Sequence, residues 1–456
     1  GAMGALRLVL IMALLPIGLI GMWRLSSPID SHWGRVVAVV LYAALPIPYN
    51  ALVDGRWDTL LLVAATPFVV LRVVRAFGVS PYNASSRGLL HQSVALGFLL
   101  GVVAAFEPLV LLLAAIVCLV VAITGCRTVG LIGVGRGLVV VVVALSISSL
   151  MHFPWVAVLG DSDAVLHHVF ARSPTPVPAE LASLLRFAPG SYGNAWVAWA
   201  PLFVAVVPLL LARAARLRIA VIAGVSATAG FGLAWMSGNG WLRDLMDREV
   251  LIGDSSLVLA AVGVCWCAAT GPSAVRIDGE LSPAFLRRIV AGAGAVSLAL
   301  SSGVLLLESV DGRWGTPTND LKIALSLLDD RDIGPSYRVL WLGSADVLPL
   351  EGWPIADEGL HFGTSVRGHP DIRHRWAGSS TSTHGQLNDA VKLGLSGDTV
   401  RMGRLLAPFG VKYLAVVERS TPSFSEGIER LVSPRVREAL NSQLDLRPLA
   451  TDPSVM

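Results

Sequence analysis

Charge is what this sequence lacks. Only 15% of its 456 residues are charged and 54% are hydrophobic, whereas a soluble domain carries charge on roughly a quarter of its positions. With a mean hydropathy of +0.67, the chain as a whole is not a water-soluble fold. Lysine is scarcer still: Lys322, Lys392 and Lys412 are the only ones, so nearly every cation is arginine. The 35 basic and 32 acidic residues leave a net charge of +3, too balanced for a partner bound through phosphate neutralisation, and no nucleic-acid partner is expected. The four cysteines, Cys118, Cys126, Cys265 and Cys267, lie in or beside apolar runs and none falls in the polar C-terminal part. They form neither a disulfide framework nor a zinc spacing and read as small core residues.

What is present is long apolar runs. At roughly 20 residues per spanning helix, segments near 5–24, 35–52, 58–76, 89–106, 108–125, 131–153, 195–213, 217–236, 254–271 and 288–307 are about ten spans. The fold class is therefore a polytopic α-helical membrane protein, a bundle over 5–308, followed by a polar α/β domain over 309–456. Pro46, Pro48 and Pro67 should bend helices, and Gly224, Gly230, Gly292 and Gly294 should permit close helix approach.

Arginines gather in alternate connections: Arg24 and Arg35; Arg72, Arg75 and Arg87; Arg127 and Arg136; Arg213, Arg216 and Arg218; Arg276, Arg287 and Arg288. By the positive-inside tendency these loops face the cytoplasm of a plasma-membrane protein, and the tail lies outside. On that count the first span begins outside, so further sequence with at least one more span is expected upstream. Gly1-Ala2-Met3-Gly4 resembles the remnant of a cleaved tag.

In the tail, 337–343 and 411–417 read as short strands, and Asp389 to Leu406 as a helix stopping at Pro408 and Gly410. The stretch 351–386, rich in Gly, Ser, His, Asp and Trp, reads as a long loop or a binding surface. Its His361, His369, His374 and His384 have no regular metal spacing.

Three runs carry a family likeness: Leu45-Pro46-Ile47-Pro48-Tyr49-Asn50-Ala51-Leu52-Val53-Asp54-Gly55-Arg56-Trp57; Arg338-Val339-Leu340-Trp341-Leu342-Gly343 with Leu348-Pro349-Leu350-Glu351-Gly352-Trp353-Pro354; and Gly403-Arg404-Leu405-Leu406-Ala407-Pro408-Phe409-Gly410-Val411-Lys412-Tyr413. Together they resemble the membrane regions of large actinobacterial glycosyltransferases. In those proteins a cytoplasmic family 2 glycosyltransferase domain precedes a polytopic region of the GT-C type, the class that includes the arabinofuranosyltransferases. The resemblance implies a polyprenyl-linked sugar as substrate, a role in the cell envelope, and a family 2 domain as partner. This chain departs from the pattern in two ways: it holds no nucleotide-sugar domain, and the outside loop that bears the catalytic Asp in GT-C enzymes is expected upstream of it.

Transfer of a sugar from a polyprenyl phosphate calls for a carboxylate near the membrane surface and cations for the departing phosphate. Asp54, Arg56 and Asp58, with Trp57 between them, stand at the outer end of two expected spans. Asp54 is a candidate catalytic carboxylate, and Arg56, Trp57 and Asp58 are candidate substrate-binding groups; a paired turn with a belt tryptophan is the plain alternative. Glu107, the second catalytic candidate, interrupts a charge-free stretch before Pro108 and is expected at the tip of a tight hairpin. At such a tip it is a solvated turn residue; it is catalytic only if the hairpin dips below the surface. The loop 154–194 offers Asp161-Ser162-Asp163, a DxD arrangement capable of holding a divalent metal ion, and a surface helix is its plainer reading. Farther along, Leu181, Leu184, Leu185, Arg186 and Phe187 suit an interfacial helix, with Arg186 a candidate for the lipid phosphate. Three functions fit: a GT-C-like transferase or its membrane module, a lipid-linked-sugar flippase, and a non-catalytic scaffold for a partner transferase. A transporter needs ionisable groups at mid-membrane depth, and the span centres here are almost free of them.

Overall fold

The computed structural model describes residues 2–29, 31–53, 56–82, 88–153, 180–188, 196–241, 253–276, 284–308, 337–344, 347–348, 352–355, 359–366, 382–418 and 431–449. The chain divides into two compact units, one made of 1–161 and 177–314, the other of 162–176 and 315–456.

The first unit is helical: α1 (Ala2–Ser26), α2 (His32–Ala43), α3 (Ile47–Val53), α4 (Trp57–Phe77), α5 (Leu89–Ala104), α6 (Leu109–Met151), α7 (Leu181–Leu185), α8 (Ala200–Leu211), α9 (Ala214–Gly238), α10 (Gly253–Ala269), α11 (Gly271–Arg276) and α12 (Ala284–Glu308). Among the described residues, six stretches are long and apolar enough to cross a membrane: 32–52, 58–77, 109–126, 129–151, 214–238 and 255–276. Shorter apolar helices cover 12–26, 89–104 and 196–211. Pro46 separates α2 from α3 instead of bending one helix, Pro48 sits in the first turn of α3, where its missing N–H costs nothing, and Pro67 lies inside α4.

Contacts between helices fix which termini share an end. The Tyr82 hydroxyl donates to the Leu25 carbonyl at 2.6 Å, and Trp266 Nε1 donates to the Tyr82 hydroxyl at 2.7 Å. Gly34 faces the Ala269 carbonyl, while Gly133 and Gly137 face Phe77. One end of the unit therefore holds the α1–α2 turn, the end of α4, the Gly130 region and α11. Within α6, Gly130 leaves helical geometry at φ 72°, and Met151 returns to lie against Gly101 of α5. The second half of α6 thus runs back to the α5–α6 tip, so Val53, 56–57, 104–109 and 151–153 share the opposite end.

Helix α10 is the centre of the unit. From Leu257 to Ala269 it is apolar on every side and almost wholly buried, as such a helix must be. It packs antiparallel on α9 with no room for side chains between the backbones. A Cβ on Gly230 would meet the Ala260 nitrogen and Ser256 carbonyl at 2.6 Å, and one on Gly263 would meet the Ala227 nitrogen at 2.6 Å. Of the glycines expected to bring helices together, only Gly230 does so. Gly224 and Gly294 make ordinary contacts and Gly292 faces open space.

The second unit contains a four-stranded sheet in the order β2-β3-β1-β4, with β1 at Arg338–Gly343, β2 at Trp353–Pro354, β3 at His361–Val366 and β4 at Val411–Val417. Strand β1 is parallel to β4 and antiparallel to β3, with Leu340 opposite both Leu414 and Thr364. Helices α13 (Ser382–Leu395), α14 (Met402–Leu406) and α15 (Pro434–Asn441) complete the described part. Leu340, Leu342 and Phe362 pack with Leu387, Val391 and Leu395 of α13, while Val339 and Trp341 face the other way, with Tyr413 and Ala415 beside them. Two expectations are corrected. The helix read over 389–406 is broken at Gly397, whose φ of 87° ends α13 before α14 begins. The stretch 351–386 holds β2 and β3, whose alternation is hidden because His361-Phe362-Gly363-Thr364-Ser365-Val366 buries residues on both faces.

Candidate functional site

All described carboxylates of the helical unit are at one end. Asp58, Glu107, Glu180, Asp254 and Glu308 belong to the end of the α5–α6 tip, whereas Arg24, Arg35, Arg75, Arg136, Arg213, Arg218, Arg276 and Arg288 belong to the other, where no carboxylate lies among the described residues. The acidic residues are confined to one end, and most of the described arginines gather at the other, with Arg56 and Arg186 on the acidic side.

Two of these acids are buried, and each has a structural cause. Asp58 is in the first turn of α4, 7% exposed, and its Oδ1 accepts the Thr59 N–H at 3.0 Å. Glu107 is 6% exposed, and its Oε1 accepts the Leu109 N–H at 3.4 Å where α6 begins. In both cases the positive end of a helix dipole faces a carboxylate withdrawn from water. The plain expectation for Glu107, a solvated turn, is overturned: the hairpin exists, with Ala105 and Phe106 exposed at its tip, but the carboxylate turns inward beneath them. The free amides of the first turn of α6 account for this. Leu109 is the first residue of α6, so its N–H has no acceptor within the helix and is met by the Glu107 carboxylate.

Arg56 is half-buried directly ahead of α4, and its backbone N–H reaches the Ala51 carbonyl at 2.7 Å. Trp57 opens α4. Asp54, Asp161 and Asp163 lie outside the described residues. Among the described residues no group of three His, Cys, Asp or Glu is placed to hold a metal ion. Asn50, 1% exposed in α3 at the same end, is a site feature missed by sequence reasoning. Its signal was an amide inside an otherwise apolar run.

Arg186 caps α7 and turns back, its Nε donating to the Ala182 carbonyl at 3.1 Å. The next residue, Phe187, has φ 57°, a left-handed conformation that glycine normally fills. The Ala188 N–H reaches the Ser183 carbonyl at 3.0 Å and the Phe187 N–H reaches the Leu184 carbonyl at 2.9 Å, the paired bonds of a Schellman ending. Burial offsets the strain, for Phe187 is fully enclosed, with its ring 5.1 Å from that of Phe231 in α9. The interfacial helix is thus only partly as expected: Leu181 is exposed, but Leu184 and Phe187 are buried in the unit.

A groove of about 500 Å³ follows α6 toward this end, lined by Val142, Leu145, Ser146, Ser149, Leu150 and Phe153. It is apolar apart from its two hydroxyls, and neither Asp58, Glu107 nor Arg56 lines it. No protein-family model matches the chain, and no curated protein matches it.

Proposed function

We propose that the chain is a membrane glycosyltransferase of GT-C type, or the membrane module of one, handling polyprenyl-linked sugars for the cell envelope. The observation that supports this reading best is the burial of Asp58 and Glu107 at the N-termini of neighbouring helices, at the end of the unit that also carries Arg56 and Arg186. A carboxylate held in a dry helix-terminal setting is a candidate general base, and the two arginines are candidate partners for a departing phosphate, which a guanidinium grips through two parallel hydrogen bonds. In this proposal about ten segments span the plasma membrane, the carboxylate end and the tail are extracytoplasmic, Asp54 and Trp57 complete the sugar site, and a cytoplasmic family 2 domain acts as partner. A divalent metal ion at Asp161 and Asp163 belongs to the proposal only as a ligand of that loop, and no step is assigned to it.

The second reading, a scaffold for a partner transferase, rests on the same structural account of the acids, since helix capping alone explains both. Glu107→Gln separates the two. It keeps the shape and an acceptor for the Leu109 N–H while removing the charge. As a general base, its loss should lower sugar transfer from a polyprenyl-phosphate donor by about 10²-fold or more in the complete protein, with folding intact. Unchanged transfer with Glu107→Gln and with Asp58→Asn leaves the scaffold reading.

A further inference from the structure

The end of the helical unit opposite the candidate site carries a surface that the proposed function does not use. At the α1–α2 turn, Trp23 and His32 meet edge to face at 5.7 Å, and the Arg35 guanidinium lies 5.9 Å from the Trp23 ring. Arg35 also donates to the Ser27 carbonyl at 2.8 Å, which fixes its direction. Beside it Trp33 is 70% exposed, an indole left uncovered by protein at a helix terminus. Arg24 and Arg75, both exposed, flank this corner from α1 and α4. Among the described residues no carboxylate shares this end, so the arginines are not neutralised by described acids there.

An exposed tryptophan at the rim of an apolar bundle belongs at headgroup depth, with its ring among acyl chains and its N–H toward water. Arginines at the same depth, one of them ordered over an aromatic ring, match a phosphodiester in charge and in donor geometry. We infer that the corner formed by Trp23, Arg24, His32, Trp33, Arg35 and Arg75 is a binding surface for anionic phospholipid headgroups of the leaflet it faces. The occupant is a lipid, not soluble phosphate, because Trp33 contributes only if an acyl region lies beside the charge. Each arginine near an anionic surface contributes about a fivefold factor in affinity.

The test uses the full chain, purified in neutral detergent and titrated with phosphatidylglycerol or phosphatidylcholine, with bound lipid counted by native mass spectrometry. Wild-type protein should bind phosphatidylglycerol in preference to phosphatidylcholine, and the preference should weaken as salt rises. The triple variant Arg24→Gln, Arg35→Gln, Arg75→Gln should lose at least about tenfold in phosphatidylglycerol affinity, while the corresponding triple Lys variant stays within about threefold of wild type. Trp33→Ala, distant from the buried core, should weaken binding of the same lipid severalfold. Equal affinity of wild type and the Gln variant, salt-independent binding, or full displacement of the lipid by inorganic phosphate with Trp33→Ala silent would each overturn the inference. Should the triple variant fail to fold, the Arg75→Gln variant and the wild-type salt series decide the matter in the same way: a loss of affinity and a salt-weakened preference support the surface, and their absence overturns it.

Discussion

The helical unit and the tail solve one problem, the placement of polar groups in a dry interior, in different ways. In the helical unit serine and threonine hydroxyls turn back on their own helix, as Thr66 does on Leu62, Ser226 on Ile222 and Ser301 on Ser297, each at 2.7–2.9 Å. Helices then meet through backbone, as Gly230 and Gly263 do between α9 and α10. In the tail the bonds are long-range. Gln443 accepts the Met402 N–H at 2.8 Å and donates to the Thr399 carbonyl at 2.8 Å, and Asp445 accepts the Arg404 N–H at 2.7 Å. The difference follows from the solvent. Lipid offers no alternative partner for a polar group, so self-contained helices joined by small residues are favoured, whereas a water-facing domain pins its loops with side chains.

That contrast can be broken where it is strongest. Gly263→Val should cost the helical unit about 3 kcal/mol, because its branched side chain must displace α9 backbone on one side, and thermal unfolding in detergent should register it. A loss under about 0.5 kcal/mol would mean that the two helices are not held at backbone contact. In the tail, Gln443→Leu removes an amide that is 5% exposed and strands the Met402 N–H and Thr399 carbonyl. The expected cost is about 2 kcal/mol, read as faster hydrogen exchange over 395–406 with exchange in α10 unchanged. Spread of the effect into α10 would contradict the separation of the two units' polar accounting.

The smallest effect is one of pH. His384 stacks on Trp353 with ring centroids 4.0 Å apart. Burial first, and the Arg338 guanidinium second, hold its pKa below the ordinary 6.5. A histidine with a lowered folded pKa contributes stability that is complete above the unfolded value and is lost as pH falls through 6.5 toward the folded pKa. Hydrogen exchange in α13 should therefore quicken between about pH 7 and pH 5, relative to exchange in α9, and His384→Gln should flatten that dependence. Equal pH dependence in the variant would remove His384 as the cause.

Much of the fold was legible because lipid imposes a simple rule. Every apolar run read from the residues coincides with a described helix, and the described arginines of the alternate loops gather at one end. Strands β1 and β4 were legible from Val, Leu and Tyr runs bounded by turns, and the turn Ala407-Pro408-Phe409-Gly410 from its proline and glycine. What escaped depended on partners distant in sequence. Gly263 and Gly34 resemble any other glycine until the facing helix is known, and β3 has no clean alternation because both its faces are covered. At the candidate site, Glu107 was conspicuous as a lone acid, but its inward turn follows from the α6 amide it reaches, a contact that sequence spacing alone does not reveal.

The bond from Trp266 to Tyr82, and from Tyr82 to Leu25, also bears on how the protein is made. Translation delivers Leu25 and Tyr82 early, and their mutual bond is available as soon as α4 is inserted. The indole that completes the chain arrives 184 residues later, on a helix almost fully enclosed by others made before it. The early helices therefore cannot close into their final arrangement before α10 has been made. They must wait around an open central slot, with the Tyr82 hydroxyl still lacking its donor, until α10 enters and seals the assembly.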